Sequence, residues 1–346
     1  MARPQSRPDS FPSSEDGGSS MGAIGGRPDL AFDISPAIHT VALAKRFGAT
    51  TALDSLTMTV PRGEVFGFLG PNGAGKTTAV KLLVGLSRPT SGEAWVLGEV
   101  AGQREMRRRI GYLPELFRYQ EWMSAREVLG LHCQLMRMPR AERGTQIDQA
   151  LDLVGLKDRG RDRVRTFSKG MQQRLGLGVA LLGTPELVFL DEPTSALDPV
   201  GRHDVREIIR HLKRRGTSVF LNSHLLSEVE QVCDRVAVID RGRMIASGTI
   251  DELRGGQHAI RLRLSRLSTT ARGILDEFGS VDIEEEWYTV RGIDPDQVPE
   301  LVSALVAAGA RVYAVEPRQQ SLEDRFLELL GGTHDGHADH RAPDPA

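Results

Sequence analysis

The sequence predicts an α/β fold with a sheet whose strands end in polar residues, and three short apolar runs carry this prediction. Glu64–Leu69 precedes a glycine-rich loop, Leu187–Leu190 precedes two acids, and Thr217–Asn222 precedes Ser223 and His224. Short apolar runs of this kind are typical of buried strands. Because ligands bind outside the carboxyl ends of parallel strands, we expect the functional site at that edge.

The loop after the first run fits the pattern G-x-x-x-x-G-K-[ST] in full. Its glycines let the backbone approach a ligand closely, and successive N–H groups form an anion-binding nest. The apolar helix that follows, Ala79–Val84, adds its positive N-terminal end. The alternative is a glycine-rich turn, which would match by chance about one time in a hundred in a chain of this length.

The pattern assigns a role to each residue type in the loop. Lys76 is predicted to reach the β- and γ-phosphates of a nucleotide, and the Thr77 hydroxyl to bind Mg²⁺. The predicted nucleotide contacts are Gly70, Pro71, Asn72, Gly73, Ala74, Gly75, Lys76, Thr77 and Thr78.

Composition limits the class of protein. The 346 residues suggest about two domains, and 40% hydrophobic with 26% charged residues is ordinary for a soluble globular chain. A formal net charge of −2 argues against nucleic-acid binding by bulk electrostatics. The two cysteines, Cys133 and Cys233, are too few for a disulfide framework and fit a reducing compartment. No stretch approaches the ~18 apolar residues of a membrane span.

The N-terminal part contains a polar segment and then β structure. Residues 1–36 are rich in Ser, Pro, Gly, Arg and Asp, and we expect them to be disordered. Ile38–Val60 is predicted to be β structure with a turn at Gly48. Phe47, shortly before the phosphate loop, is either an aromatic that stacks on adenine or a core residue of this hairpin, and its position does not decide between them.

The middle of the chain is predicted to be mainly helical. Ser124 and Glu127 form a capping-box pair at its start. Ser168 and Gly170 lie in a loop that leads into an apolar helix, which makes either an anion site or an ordinary helix start. The predicted elements are strands at Ser91–Gly98 and Ile110–Leu113 and helices at Gln103–Arg109 and from Ser124 to about Asp158.

Two acids stand at the end of the second apolar run. Asp191 is placed to hold Mg²⁺, and Glu192 to orient or deprotonate a water. The alternative is a pair of solvated loop carboxylates. His224 ends the third run, which predicts that it lies at the same edge of the sheet as Asp191.

The C-terminal region is predicted to form a second domain. From His258 the pattern is β-α-β-β-α-β, which is ferredoxin-like, followed by a helix from Leu322 to Leu330. Residues 331–346 are expected to be disordered.

Taken together, the motifs resemble the ATP-binding subunit of an ABC transporter over about Ile38–Leu253. The resemblance implies a P-loop NTPase cassette with a mixed-sheet core, an antiparallel β subdomain and a helical subdomain at about 116–176. It places the ATPase domain at 37–254 and a small α+β, ferredoxin-like accessory domain at 257–330.

The resemblance also implies roles for single residues. Phe47 matches the aromatic that stacks on adenine, and Glu115 stands where the family usually has a glutamine beside the metal. Ser168 and Gly170 match the signature loop, although only these two of its usual Leu-Ser-Gly-Gly-Gln residues are kept. The remaining matches are Asp191 as a metal ligand, Glu192 as the catalytic carboxylate, Asp198 as the D-loop residue and His224 as the switch histidine.

The resemblance further implies ATP and Mg²⁺ as cofactors and a head-to-tail homodimer that encloses two ATP molecules. The C-terminal extension and the Ser168–Gly170 variant resemble type 2 exporters of drugs or polysaccharides. Such a subunit would lie on the cytoplasmic face of the membrane, held by a permease on a separate chain, with no nucleic acid as partner.

Three other classes stay open at this point. One is an ABC ATPase that acts on the ribosome or on DNA, although such proteins usually carry two cassettes or a long coiled coil. Another is a small-molecule kinase, which Glu192 and His224 disfavour. The third is a regulatory module that binds ATP without turnover.

Overall fold

The computed structural model describes residues 35–195, 197–254, 258–265, 267–319 and 322–335. The disorder expected for residues 1–36 and 331–346 therefore falls mostly outside the described residues. Where the two overlap at the C-terminus, the last helix continues to Asp335, beyond the boundary expected at residue 330.

Fourteen strands and eleven α-helices make up this part of the chain. The strands are β1 (Ile38–Phe47), β2 (Thr50–Val60), β3 (Val65–Leu69), β4 (Ser91–Val96), β5 (Glu99–Val100), β6 (Ile110–Leu113), β7 (Leu187–Asp191), β8 (Ser218–Asn222), β9 (Arg235–Asp240), β10 (Arg243–Thr249), β11 (His258–Ser265), β12 (Ser280–Glu284), β13 (Trp287–Arg291) and β14 (Arg311–Gln319). The helices are α1 (Lys76–Leu83), α2 (Arg104–Arg109), α3 (Ala125–Leu135), α4 (Arg140–Leu153), α5 (Lys169–Ala180), α6 (Pro199–Arg214), α7 (Leu226–Val232), α8 (Ile250–Leu253), α9 (Thr269–Phe278), α10 (Val298–Ala307) and α11 (Leu322–Asp335).

A six-stranded mixed sheet in the order β10-β9-β3-β8-β7-β6 forms the core. All neighbours are parallel except the β9–β10 hairpin. Every residue of β3, β7 and β8 is buried, as expected for strands covered on both faces. The three apolar runs of the sequence therefore end at one edge of one sheet, as predicted.

An antiparallel sheet in the order β2-β1-β4-β5 covers one face of the core together with α1. The layer between them is filled by aromatic rings from the central strands. Phe220 of β8 lies between Phe66, Phe68 and Phe189, with ring centroids 5.3–5.8 Å apart. These contacts fix the position of β3, and with it the start of the phosphate loop.

The helical region differs from its prediction in one respect. The capping box of Ser124 and Glu127 is confirmed at the start of α3. The single helical stretch expected to run to Asp158 is instead two helices, because α3 ends at Leu135 and α4 begins after Pro139. The helix ends because Arg137 takes a left-handed conformation with φ = 57°, and Pro139 disfavours α conformation at Met138.

The C-terminal strands form a third sheet in the order β12-β13-β11-β14, and α9 and α10 pack against it around a separate apolar cluster. The β-α-β-β-α-β order is present. Helix α11 does not pack on this third sheet as α9 and α10 do. Its Leu322 is buried in the apolar cluster of the cassette, and Phe326 and Leu329 pack against the same cluster. Among the residues described, no helix has the length and hydropathy needed to cross a bilayer.

Candidate nucleotide site

The phosphate loop joins the end of β3 to the start of α1, and two of its glycines lie so close to neighbouring backbone that a side chain would collide with it. Gly75 has φ = 104°, and a Cβ there would lie 2.3 Å from the carbonyl oxygen of Ala52. A Cβ on Gly70 would lie 2.2 Å from the carbonyl oxygen of Ile239. The loop is therefore held between β2 and the β9–β10 hairpin, with its backbone close to both.

Lys76 lies within the loop that it is predicted to serve. Its Nζ donates hydrogen bonds to the carbonyl oxygens of Gly70 at 2.7 Å and Pro71 at 3.1 Å. Burial lowers the pKa of Lys76, while the negative charges of Glu192, Asp191 and Glu115 act in the opposite direction. A phosphate entering the loop would supply the strong negative charge that a buried ammonium group needs.

Asp191 at the end of β7 is completely buried. Asn222 of the adjacent strand β8 donates a side-chain hydrogen bond to Asp191 Oδ1, whereas Oδ2 is buried without a hydrogen-bond partner. Burial raises the pKa of Asp191, and the Asn222 hydrogen bond opposes this rise. An unpaired buried carboxylate oxygen whose charge acts on Lys76 of the phosphate loop fits a site for Mg²⁺.

Across the described residues, no three His, Cys, Asp or Glu side chains form a cage of metal ligands. Mg²⁺ does not need one, because it is commonly held by one or two carboxylates together with substrate phosphates and water. The residue types present, the Asp191 carboxylate and the Thr77 hydroxyl, match that kind of site. Thr77 and Glu115 line the cleft.

Glu192 and His224 are in direct contact. Nδ1 of His224 lies 2.7 Å from Oε2 of Glu192, and with its proton on Nδ1 the ring donates this hydrogen bond. Glu192 has φ = 53°, a left-handed conformation that is uncommon for a side-chain-bearing residue. Its backbone N–H donates to the carbonyl oxygen of Asn222 at 2.9 Å, which ties the turn to β8. The alternative of two solvated loop carboxylates is wrong, since Asp191 is inaccessible and Glu192 is only 7% exposed.

Glu192, His224 and most of the phosphate loop line one cleft of about 370 Å³, a volume in the range of small-ligand sites. Asp191 does not line this cleft, but it is hydrogen-bonded to Asn222, which does. Asn222 and Ser195 belong to the cleft, although neither was predicted as a site residue. The available signal for Asn222 was its place at the end of a neighbouring buried strand. The lining residues are Ala52, Asn72, Gly73, Gly75, Lys76, Thr77, Thr78, Glu115, Glu192, Ser195, Asn222 and His224.

Phe47 lies at the end of β1 and does not line this cleft. Its side chain is 56% exposed, so the hairpin-core interpretation is wrong. The Lys45 ammonium lies 4.9 Å from the centre of the ring. The other face of the ring is a surface on which a base could stack.

Glu115 follows β6 and lines the cleft. Its charge acts on Lys76, on Asp191 and on Tyr112. The pKa of Tyr112 is raised to about 12, mainly by burial and further by the negative charges of Asp191 and Glu115. The described chain shows no ion pair between Glu115 and an arginine. Glu115 is exposed to solvent within the cleft lining, and its charge acts on Lys76 of the phosphate loop.

Ser168, Gly170 and Asp198 are not brought to the cleft. Ser168 caps α5 by accepting a hydrogen bond from the Met171 N–H, and Asp198 caps α6 by accepting one from the Gly201 N–H. Both loops lie at helix starts away from the cleft lining. Four other predicted residues, Gly70, Pro71, Ala74 and Asp191, also do not line the cleft, although they belong to the phosphate loop and to the end of β7.

Comparison with known proteins decides the family. Residues 53–195 match the family described as ABC transporter. The bacitracin transport ATP-binding protein BcrA of Bacillus licheniformis is 35% identical over 305 residues, covering 86% of this chain and 99% of BcrA. The chain belongs to the ABC transporter ATP-binding proteins. The resemblance drawn from the motifs is confirmed.

Further similar proteins support the assignment of this ABC ATP-binding protein to the family. The daunorubicin/doxorubicin resistance ATP-binding protein DrrA of Streptomyces peucetius is 37% identical over 317 residues, covering 88% of this chain and 96% of DrrA. A solved structure of an ATP-binding subunit of an ABC transporter is 31% identical, with a TM-score of 0.58 over 63% of this chain and 92% of its own. The α/β cassette fold and the ATPase class are therefore those expected.

Proposed function

We propose that this ABC ATP-binding protein hydrolyses Mg²⁺-bound ATP to power an exporter whose permease is a separate chain. The 2.7 Å contact between Glu192 and His224, beside Lys76 and its loop, carries the proposal. A kinase needs no such pair, and a module that only holds ATP needs no second acid after Asp191.

In this proposal the residues of the cleft divide the work of phosphoryl transfer. The Gly70–Thr78 loop and Lys76 bind the phosphates, and Glu192 orients the attacking water and accepts its proton. His224 holds Glu192 and contacts the γ-phosphate. Asp191 and Thr77 would hold Mg²⁺, which neutralises charge that develops on the phosphate oxygens. Catalysis then depends mainly on positioning and electrostatics.

The separated loops support sharing of the site between two copies. Ser168, Gly170 and Asp198 carry the remaining predicted contacts but do not line the cleft of their own subunit. In a head-to-tail homodimer, the Ser168–Gly170 loop of one copy covers the ATP bound by the other. The start of α5 would then offer its unpaired N–H groups to the γ-phosphate.

The proposed role in export follows from the relatives and from one surface segment. BcrA and DrrA are named for bacitracin transport and for daunorubicin/doxorubicin resistance. In the segment 116–123, Leu116 is 87% exposed and Trp122 is 69% exposed, which offers an apolar contact to a permease. These names favour an exporter over an ATPase of the ribosome or DNA. We propose a location on the cytoplasmic face of the membrane through that permease.

The test is Glu192→Gln, with the exposed Glu142→Gln as matched control. Loss of the carboxylate is expected to lower kcat by about 10²- to 10⁴-fold, the usual contribution of a general base, while ATP still binds. The variant should accumulate as an ATP-bound dimer in size-exclusion chromatography. Turnover equal to that of the control would refute the role of Glu192.

Sharing is tested by mixing Ser168→Arg with Lys76→Ala subunits. In the mixed dimer one site collects both defects and the other collects neither. Recovery of up to one working site per heterodimer is expected. If heterodimers form and stay inactive, the sites are not shared in this way or do not work independently.

A further inference from the structure

The helix after the proposed switch histidine is too short to hold its own position. Helix α7 has seven residues and begins two residues after His224. Isolated helices of this length are unstable, so its place depends on its neighbours. Since Leu225 joins the two directly, a displacement of α7 moves His224 relative to Glu192.

One side of α7 is fixed to the helix that follows Asp198. Arg206 of α6 places Nη1 2.8 Å from both carboxylate oxygens of Glu228 in the first turn of α7. The two side chains are only 16% and 10% exposed. A buried, hydrogen-bonded ion pair constrains geometry more than an exposed one.

The other side of α7 is fixed by the C-terminal helix α11. The backbone N–H of Leu322, at the first residue of α11, donates a 2.6 Å hydrogen bond to Oε1 of Glu230. Arg254, just after α8, lies 3.2 Å from the same oxygen. The carboxylate of α7 thus satisfies a donor at a helix start that has no partner inside its own helix.

Apolar contacts extend this attachment along α11. Leu322 is 1% exposed and joins the apolar cluster that contains Val229 and Val232 of α7. Phe326 and Leu329 pack against that cluster. The chain leaves the cassette after α8 and returns to it at α11, and both helices are in contact. The third sheet is therefore connected to the cassette at α7, the helix that begins two residues after His224.

We propose that Leu322, Phe326 and Glu230 are positioning residues that hold α7, and through it His224, where its ring meets Glu192. This inference rests on the proposed function, because it concerns the pair that the function uses. It assigns the C-terminal region a part in hydrolysis even though that region contains no phosphate or metal motif. A displacement of the third sheet would reach the catalytic pair through α11 and α7.

The first test compares substitutions on the two faces of α11 in the full chain. Leu322→Ala and Phe326→Ala are expected to lower kcat about tenfold through misplacement of His224, with ATP affinity unchanged. We expect affinity to be preserved because no residue of α7 lines the cleft, although α7 packs on β3. Leu327→Ala is the matched control, since this residue is 61% exposed on the same helix. A fall in affinity equal to the fall in kcat would indicate general damage and overturn the inference.

A milder pair of variants separates the hydrogen bond from the packing. Glu230→Gln keeps an oxygen that accepts from the Leu322 N–H, whereas Glu230→Ala removes it. We expect near-wild-type kcat for the first variant and a reduced kcat for the second. Equal rates for the two variants would exclude a role for this hydrogen bond. Should Leu322→Ala fail to fold, this pair carries the test.

The decisive measurement follows His224 itself. The ring ¹⁵N chemical shifts of His224, assigned by comparison with His224→Ala, should change in Phe326→Ala and Glu230→Ala but not in Leu327→Ala. In the His224→Ala background, Phe326→Ala should lower kcat no further, as expected for residues that act through one another. Unchanged shifts overturn the inference whether or not the chain hydrolyses ATP. If the shifts change in these variants but the wild-type protein has no ATPase activity, the proposed function is refuted and the positioning role of α11 stands.

Discussion

Two glycines of the phosphate loop provide a matched pair of substitutions. Gly73 and Gly75 both have positive φ, at 81° and 104°. A Cβ on Gly73 would meet no atom within 4 Å, whereas a Cβ on Gly75 would lie 2.3 Å from the Ala52 carbonyl oxygen. Both alanine variants therefore pay for the left-handed conformation, but only Gly75→Ala adds a collision with backbone.

The size of each effect follows from these contacts. The left-handed conformation costs an L-residue about 1–2 kcal/mol, which is roughly 5- to 30-fold in an equilibrium constant. For Gly75→Ala, the loop and β2 must also separate by about 1 Å to reach an ordinary contact distance. A 1 Å misplacement in a site can cost about 100-fold in rate. We expect Gly73→Ala to weaken ATP binding moderately and Gly75→Ala to abolish turnover.

The assay is ATP binding by calorimetry and phosphate release at saturating ATP, on variants whose far-UV circular dichroism matches wild type. The measured melting temperature shows whether the strain is confined to the loop. Equal ATP affinity and equal turnover in the two variants would refute the argument. That result would show that β2 can move away from the loop at Ala52 without a measurable loss of free energy.

Three further predictions concern the metal, the buried acid and the C-terminal helix. Glu115→Gln should strengthen binding of metal-free ATP and raise the Mg²⁺ concentration for half-maximal hydrolysis, because a carboxylate repels phosphate and an amide does not; identical Mg²⁺ curves would contradict this. Asp191→Asn should raise the melting temperature of the nucleotide-free protein, because it removes a buried charge with an unpaired oxygen, while Mg²⁺-dependent hydrolysis is lost; a lower melting temperature would show that the charge is compensated. A chain ending at Gly255 keeps the phosphate loop and should bind ATP, but it loses the packing of α11 on α7, so its melting temperature and kcat should fall; loss of ATP binding in a folded truncation would show that the C-terminal region is needed at the site.

The elements that carry the chemistry could be predicted from local sequence patterns. Short apolar runs predicted β3, β7 and β8, since strands covered on both faces have little room for polar residues. The spacing of glycines, Lys76 and Thr77 predicted the phosphate loop, because close backbone approach and anion binding require those residue types. The positions of Asp191 and His224 after such runs predicted that they share an edge. These conclusions are local, so they needed no knowledge of the packing.

Which side chains contact one another depends on the packing of the whole chain. Strand order placed Asn222 beside Asp191, and the left-handed turn at Glu192 brought its carboxylate to His224. Long-range packing also assigned α11 to the cassette, although its sequence follows the accessory domain. No local pattern encodes these contacts, because the sequence around a buried leucine such as Leu322 shows that it will be buried but not which apolar cluster it will join. The partner of an apolar face is chosen by the shape and charge that the rest of the chain presents to it.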